Sequence, residues 1–240
     1  MISYFTKSKQ MPSSRPHSIP FVISLVTQIN PDSILDLGVG FGKWGVLFRE
    51  YTDIIKSELD PPRYQRENWK IKIEGIEGFA PYITPLHNYI YDAIYIGDIL
   101  EILPTLGKYD LVFIGDVIEH FPKEQGKRLI RLALEHTNRY LILTTPRFET
   151  NQPAVCANEL ERHRSLWTAK DFRALAPAEV LILPGEILLT IYPKPGQPRI
   201  LPVFKKPASK TRILEAKLAR KILGDQLYQI LRGKLKLKKS

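Results

Sequence analysis

The sequence predicts an α/β fold: a seven-stranded, mostly parallel sheet with helices on both faces and a closing antiparallel hairpin. Three observations carry the prediction. Short apolar runs alternate with helix-compatible stretches from residue 18 to residue 192, the pattern of a parallel sheet with crossover helices. The first three runs each end in an acid, Asp36, Glu77 and Asp98. The last stretch, Glu179 to Tyr192, turns back on itself around Pro184-Gly185, as a hairpin does.

Residues 1–17 are polar, with Pro12, Ser13-Ser14 and Pro16, and read as a loose arm. Ser18 and Pro20 mark a helix start. Phe21, Val22, Leu25, Val26 and Ile29 give that helix an apolar stripe, and Asn30-Pro31-Asp32 stops it. It is expected to cover the sheet edge and the ligand pocket. Ile34 to Leu37 is the first strand, and three alternating glycines, Gly38, Gly40 and Gly42, lead into a helix over 43–51. Residues 56–69, with Pro61-Pro62 and mixed charge, read as an excursion, a solvated loop in preference to a wall of the substrate entrance. Lys70 to Glu77, Ala93 to Asp98, Tyr109 to Asp116 and Arg139 to Pro146 are the next four strands. Leu100 to Leu106 is a short helix or turn, and Lys123 to His136 is a helix with Leu129, Ile130, Leu132 and Ala133 on its apolar side. Thr168, followed by Asp171 three residues on, caps a further helix.

The chain has 240 residues, 44% apolar and 10% aromatic, enough for one compact domain with a core. The single Cys156 rules out an internal disulfide framework and points to a reducing compartment. No apolar run approaches the ~18 residues of a membrane span, and the N-terminus lacks a signal-peptide core. The expected location is therefore cytoplasmic. The net charge of +10 is uneven: residues 205–240 hold 12 Lys/Arg against 2 Asp/Glu, while the first 204 residues hold 23 of each sign. The basic character belongs to the tail, and the whole-chain balance gives no argument for nucleic acid.

The glycine turn is where a ligand is expected. Without a Cβ, backbone can approach a ligand closely, and positive φ carries no penalty. The N–H groups at the following helix start are then expected to face the bound group. Gly40-x-Gly42-x-x-Gly45 matches the dinucleotide fingerprint formally. That fold wants a ribose acid about 20 residues on, whereas Glu77 lies 35 residues past Gly42. A zwitterionic amino-acid cofactor fits better: Asp36 would orient its ammonium, and the glycine backbone would lie against its methionine part. Glu77, with Gly78 beside it, would take the ribose hydroxyls. Asp98 would accept the adenine amino group, and Ile99 would pack on the ring. Open α/β sheets bind ligands beyond the carboxyl ends of their strands, so these acids should face one crevice.

A second cluster, Asp116-x-x-Glu119-His120, follows the fourth strand, and a third is Glu161-Arg-His163-Arg-Ser-Leu-Trp167. Methyl transfer to oxygen is an in-line displacement with the acceptor held about 3 Å from the methyl group. A hydroxyl acceptor also benefits from a histidine base. His163 is preferred as that base and His120 is the second candidate, with Asp116 and Glu119 lining the site. Trp167 and the polar loop 147–161 would wall the acceptor. His17, His87 and His136 have no such context.

The stretches 35–45, Ile73 to Phe79, Asp116 to Phe121, Thr144-Thr145-Pro146 and Asn158 to Trp167 together resemble the small bacterial class I S-adenosylmethionine (SAM) methyltransferases. Members of that group lie among polysaccharide-biosynthesis enzymes. More distantly, the Glu-His pair resembles the ubiquinone-pathway O-methyltransferases. The resemblance spans roughly residues 18–192 and implies a Rossmann-like fold, SAM as cofactor and O-methylation of a small-molecule or saccharide hydroxyl. The second cluster also resembles the metal-dependent small-RNA 3′-end 2′-O-methyltransferases. Here Asp116 replaces their first Glu and Phe121 stands in place of their second histidine, so no metal ligand is assigned. RNA 2′-O-methylation and a SAM-binding scaffold without turnover are the alternatives.

Pro193 to Pro207 contains five prolines and is expected to be an extended linker. Residues 208–240 form a basic extension in which Leu214, Leu218 and Ile222 recur every four residues. Three uses compete: docking on its own domain or on a second copy in a homodimer, lying on an anionic membrane surface, and binding nucleic acid. Tyr228 is the tail's one aromatic, so base stacking is poorly provided for.

Overall fold

The computed structural model describes residues 16–148, 152–154 and 158–204. The arm before Pro16, Cys156, the middle of the 147–161 loop and the basic extension lie outside the described residues. The chain divides after Val203, and the fold below belongs to the first unit.

Seven strands form one sheet in the order β3-β2-β1-β4-β5-β7-β6. They are β1 (Ser33–Leu37), β2 (Lys72–Glu77), β3 (Ala93–Ile96), β4 (Tyr109–Gly115), β5 (Thr137–Pro146), β6 (Glu179–Leu183) and β7 (Ile187–Pro193). The first five are parallel, and β7 runs antiparallel to both β5 and β6. This is the predicted Rossmann-like sheet with its closing hairpin. From β1 the chain winds outward through β2 to β3, then returns to the other side of β1 as β4, which makes the β1/β4 edge the topological switch point. Leu37 pairs with Ile76 on one side and Ile114 on the other. The three strands therefore end level, and Gly38, Glu77 and Gly115 open onto one crevice.

Alternation along the buried strands feeds two cores. Ile34, Leu111, Phe113 and Ile142 pack on one face with α1 (Ile19–Ile29) and α2 (Lys43–Thr52). Leu35, Leu37, Val112 and Ile114 pack on the other with α5 (Lys123–Glu135) and α6 (Ala169–Leu175). Phe113 meets Trp44 and Phe48 of α2 at ring-centroid distances of 4.7 and 5.3 Å, which fixes the helix over the switch point. Two short helices complete the set, α3 (Pro85–Ile90) and α4 (Ile99–Ile102). The sequence reading leaves α3 out, because six residues show no period.

One expectation is corrected, and two segments prove to be tied to the domain. The leading helix α1 packs against α2 and does not reach the crevice. The excursion after α2 is three 3₁₀ turns (Ile54–Glu58, Pro61–Tyr64, Arg66–Asn68), none of which lines the crevice. It is tied to the sheet by a buried ion cluster instead. Asp53 accepts from Arg49 (2.7 Å), from Arg63, and from the backbone N–H groups of Lys70 (2.9 Å) and Ile71 (3.3 Å). Burial pushes the Asp53 carboxyl up, and these donors outweigh it and hold the carboxyl below its ordinary value. The proline-rich segment after β7 is extended and is fastened to the domain as far as Val203. Tyr140 Oη donates to the Pro198 carbonyl (2.8 Å), Gln28 Nε2 to Leu201 (2.9 Å), and Ser24 exchanges bonds with Val203 (2.9 and 2.8 Å). Prolines fix an extended chain, and its carbonyls find donors along α1 and β5.

Asp53 neutralises two buried guanidiniums, so Asp53→Ala is expected to cost about 3–5 kcal/mol of unfolding free energy. Lys70→Ala breaks only the exposed Lys70–Asp60 pair and should change stability by less than about 1 kcal/mol. Urea denaturation of the two variants checks the contrast.

Candidate active site

The crevice beyond β1, β2 and β4 is a cavity of about 580 Å³. Its floor is the glycine turn between β1 and α2. Gly38 has φ +84°, and a Cβ there would stand 2.4 Å from Val117, so only glycine fits. Gly40 has φ +54°, and a Cβ there would meet nothing within 4 Å. The space it leaves belongs to the cavity.

The turn's donors are already used. Gly38 and Val39 give their N–H groups to the Ile76 carbonyl (2.9 and 3.2 Å), Gly40 gives its own to Glu77 Oε2 (2.8 Å), and Gly42 gives its own to Val39 (2.9 Å). These four amides therefore do not face a ligand, and of the helix-start amides expected to do so, Gly45 gives its own to Tyr91 Oη (3.1 Å). The turn binds β2 instead, since the strands end level and Ile76 and Glu77 lie within reach.

Of the residues assigned to the cofactor, Gly38, Gly40, Glu77, Gly78, Asp98, Ile99 and Asp116 line the cavity, whereas Asp36 and Gly42 do not. Gly42 is the N-cap of α2 and faces His87, whose ring a Cβ would meet at 3.1 Å. Asp36 is fully buried beneath the turn, where Tyr91 Oη donates to its Oδ2 at 2.6 Å. Its Oδ1 has no hydrogen-bond partner, and burial raises its pKa to about 7 despite the tyrosine. Strand alternation explains the correction: Asp36 is one residue short of the strand end and points into the α2 face. Glu77 does reach the crevice, with Oε1 accepting from Phe79 N–H (2.8 Å) opposite the Gly40 bond. A carboxylate offers about four lone-pair sites, so two remain for a ligand. Asp98 Oδ1 caps α4 through Leu100 N–H (2.7 Å).

Two residues that the sequence reading passes over belong here. His87 accepts the Thr84 N–H at Nδ1 (3.0 Å), which leaves Nε2–H to donate to the Gly40 carbonyl (2.9 Å). Gly40 is thus held at both ends, and no motif announces it because α3 is too short. Lys43, the first residue of α2, lines the cavity beside Trp44. It sits in the quoted glycine stretch but has a residue type with no fixed role there.

The opposite wall brings together Glu119, His120 and His163. The His120 and His163 rings lie 4.9 Å apart at 75°. One ligand atom from each of the three residues falls within 4.8 Å of the others. The sequence reading assigns no metal ligand, and these three side chains meet because the β5–α6 connection folds His163 back onto the β4 end. Glu119 carries Arg164 and Ser165 N–H on its carbonyl (2.8 and 3.1 Å) and Thr145 Oγ1 on its Oε2 (3.0 Å). Burial, then the charge of Asp116, raises the Glu119 carboxyl well above its ordinary value. Burial, then His163, lowers His120 to about 4, and burial lowers His163 as well. Both rings are therefore neutral at pH 7. His120 Nδ1 lies 3.3 Å from the Arg162 carbonyl. Gln125, Gln152, Asn158 and Arg164, with Phe121 and Leu160, complete this wall. Trp167 does not: it is fully buried, stacked on Phe172 at 5.2 Å.

No protein-family model and no curated protein matches the chain. Solved structures do. A candidate O-methyltransferase from Nostoc punctiforme PCC 73102 matches with TM-score 0.50 and 15% identity over 75% of this chain and 57% of that one. This chain therefore spans little more than half of its length. The N-terminal domain of EvdMO1, crystallised with S-adenosylhomocysteine (SAH) and D-fucose, matches with TM-score 0.50 and 15% identity, covering 75% of this chain and 83% of that one. The same domain with SAH alone matches at TM-score 0.50 and 14% identity, covering 74% and 81%. The likeness is one of fold, the seven-stranded Rossmann-like sheet with its antiparallel hairpin.

Asp36 gives a pH-dependent signature. Its folded pKa of about 7 lies above the unfolded value of 3.8, so between those values the unfolded chain has released a proton that the folded protein keeps. Stability then falls as pH rises through that window. The stability of the wild type relative to Asp36→Asn should decline by on the order of 4 kcal/mol between about pH 4 and pH 7, at roughly 1.4 kcal/mol per unit. Denaturation across that range, with an unchanged difference as the contrary result, decides it.

Proposed function

We propose that the protein is a SAM-dependent methyltransferase that methylates a hydroxyl of a small molecule or saccharide. The observation that carries this is the glycine turn. It leaves open space at Gly40, yet its amides at 38, 39, 40 and 42 are spent on β2 and on the turn itself. A pyrophosphate needs such amides, and a sulfonium nucleoside does not. Glu77 at the end of β2 takes the ribose hydroxyls, Asp98 and Ile99 take the adenine, and Asp116 faces the methionine part. When bound, SAM supplies an electrophilic methyl group on sulfur. His163 or His120, neutral in the cavity, accepts the hydroxyl proton as the acceptor oxygen attacks in line. Glu119 supports the wall through the amides of the β5–α6 connection.

The acceptor wall supports the substrate class. Amides and a guanidinium around Phe121 and Leu160 give hydrogen-bonding and apolar surface in the mixture that a sugar ring presents. EvdMO1, of the same fold, was crystallised with a hexose. A place among polysaccharide-biosynthesis enzymes follows the sequence resemblance alone. Among the described residues no helix is long and apolar enough to cross a membrane. The basic extension from residue 208 would supply a peripheral contact with an anionic surface or with a second copy.

One observation favours a second reading. The Glu119, His120 and His163 atoms within 4.8 Å of one another form a carboxylate and imidazole set suited to a borderline divalent ion. The ion would then hold the acceptor hydroxyl, as in metal-assisted RNA 2′-O-methylation.

Calorimetric titration with SAH is expected to give micromolar binding that Glu77→Ala weakens at least tenfold. The absence of binding by folded wild type would remove the methyltransferase reading. Mn²⁺ titrated separately separates the two readings: uptake lost in His163→Ala supports the ion, and its absence leaves the histidines as bases.

A further inference from the structure

A zwitterionic amino-acid moiety presents a carboxylate and an ammonium a few ångströms apart, and a site for it needs a cation and an anion at matching separation. The sequence reading places Asp36 at the ammonium and the glycine backbone against the methionine part. Asp36 does not line the cavity. Asp36 is fully buried under the turn and takes the Tyr91 hydroxyl at 2.6 Å. The amides of Gly38, Val39, Gly40 and Gly42 end on protein acceptors. What faces the cavity at that end is a different pair. Lys43 opens α2 directly after the turn, with its Nζ 5.2 Å from the centroid of the Trp44 ring. Asp116 follows β4 on the other side of the switch point, and both side chains line the cavity. Asp116 also has φ +54°, a left-handed conformation that aspartate tolerates better than most residues but still at a cost. Such strain is held where a side chain must be aimed. Arg164, a second cation on the cavity, belongs to the β5–α6 connection beside the histidines and serves the acceptor wall.

We propose that Lys43 binds the α-carboxylate of the cofactor's amino-acid end while Asp116, after β4, takes its α-ammonium. This rests on the SAM reading and deepens it, since it makes Lys43 the residue that distinguishes the intact cofactor from its nucleoside. Burial lowers the lysine pKa while the neighbouring Asp116 and Asp36 act to raise it. A half-buried ammonium of this kind gains most from a carboxylate ligand, because a charge-assisted bond is stronger where water is excluded.

The test compares two probes that differ only in the amino-acid part, SAH and 5′-methylthioadenosine, titrated calorimetrically into wild type, Lys43→Gln and Lys43→Arg. Lys43→Gln should weaken SAH by about tenfold or more, the scale of one charge-assisted bond, and change methylthioadenosine by less than about twofold. Lys43→Arg keeps the charge and should hold SAH within about threefold. Equal loss on both probes, or no loss on SAH, overturns the assignment. Wild type that binds neither probe overturns the cofactor reading itself, so the two failures are distinct. Retained methylthioadenosine binding also certifies that the variant is folded.

Discussion

The carbonyl of Ile76 accepts two amides, from Gly38 at 2.9 Å and Val39 at 3.2 Å, and the crevice is built from that junction. It pins the glycine turn to the end of β2. It also puts Gly40 within 2.8 Å of Glu77 Oε2, so the acid that lines the cavity also fixes the floor beneath it. His87 closes the arrangement from α3 by donating to the Gly40 carbonyl. Floor and Glu77 are thus one hydrogen-bonded unit, and a disturbance of α3 reaches the cavity without touching it.

Beneath the turn the protein keeps an unusual acid. Asp36 shares the tyrosine hydroxyl that also receives the Gly45 N–H (3.1 Å), so α2, β1 and the residue after α3 meet at one oxygen. A carboxyl buried this way is held near neutrality, and its value lies in fixing the angle of α2. The Arg49–Asp53 pair does the same at the other end of that helix, where the guanidinium also stacks on Trp69 at 4.3 Å. Together they hold Lys43, at the start of α2, over the cavity.

The acceptor wall is arranged on another principle. Its parts come from the end of β4 and the β5–α6 connection, segments more than 40 residues apart that meet through backbone bonds to Glu119. One carbonyl takes the amides of Arg164 and Ser165, and His163 arrives beside His120 as a consequence. Neutral imidazoles next to a buried carboxyl suit proton acceptance and also suit a divalent ion, and what decides between these is ion binding rather than shape.

The sequence by itself determined the sheet, the position of the crevice and most of its acids. Apolar runs ending in Asp36, Glu77 and Asp98 are local signals: strand periodicity and turn chemistry act over a few residues, so they are written where they act. The same locality explains the capping box at Thr168 and Asp171 and the closing hairpin. Only the tertiary structure decided which of these acids line the cavity. Asp36 and Glu77 look alike in sequence, yet strand pleating turns one beneath the turn and the other into the cavity. It likewise decided that His87 matters, that Trp167 is core, and that Glu119, His120 and His163 converge. Those facts depend on side-chain direction and on contacts between distant segments, which no single stretch of chain encodes.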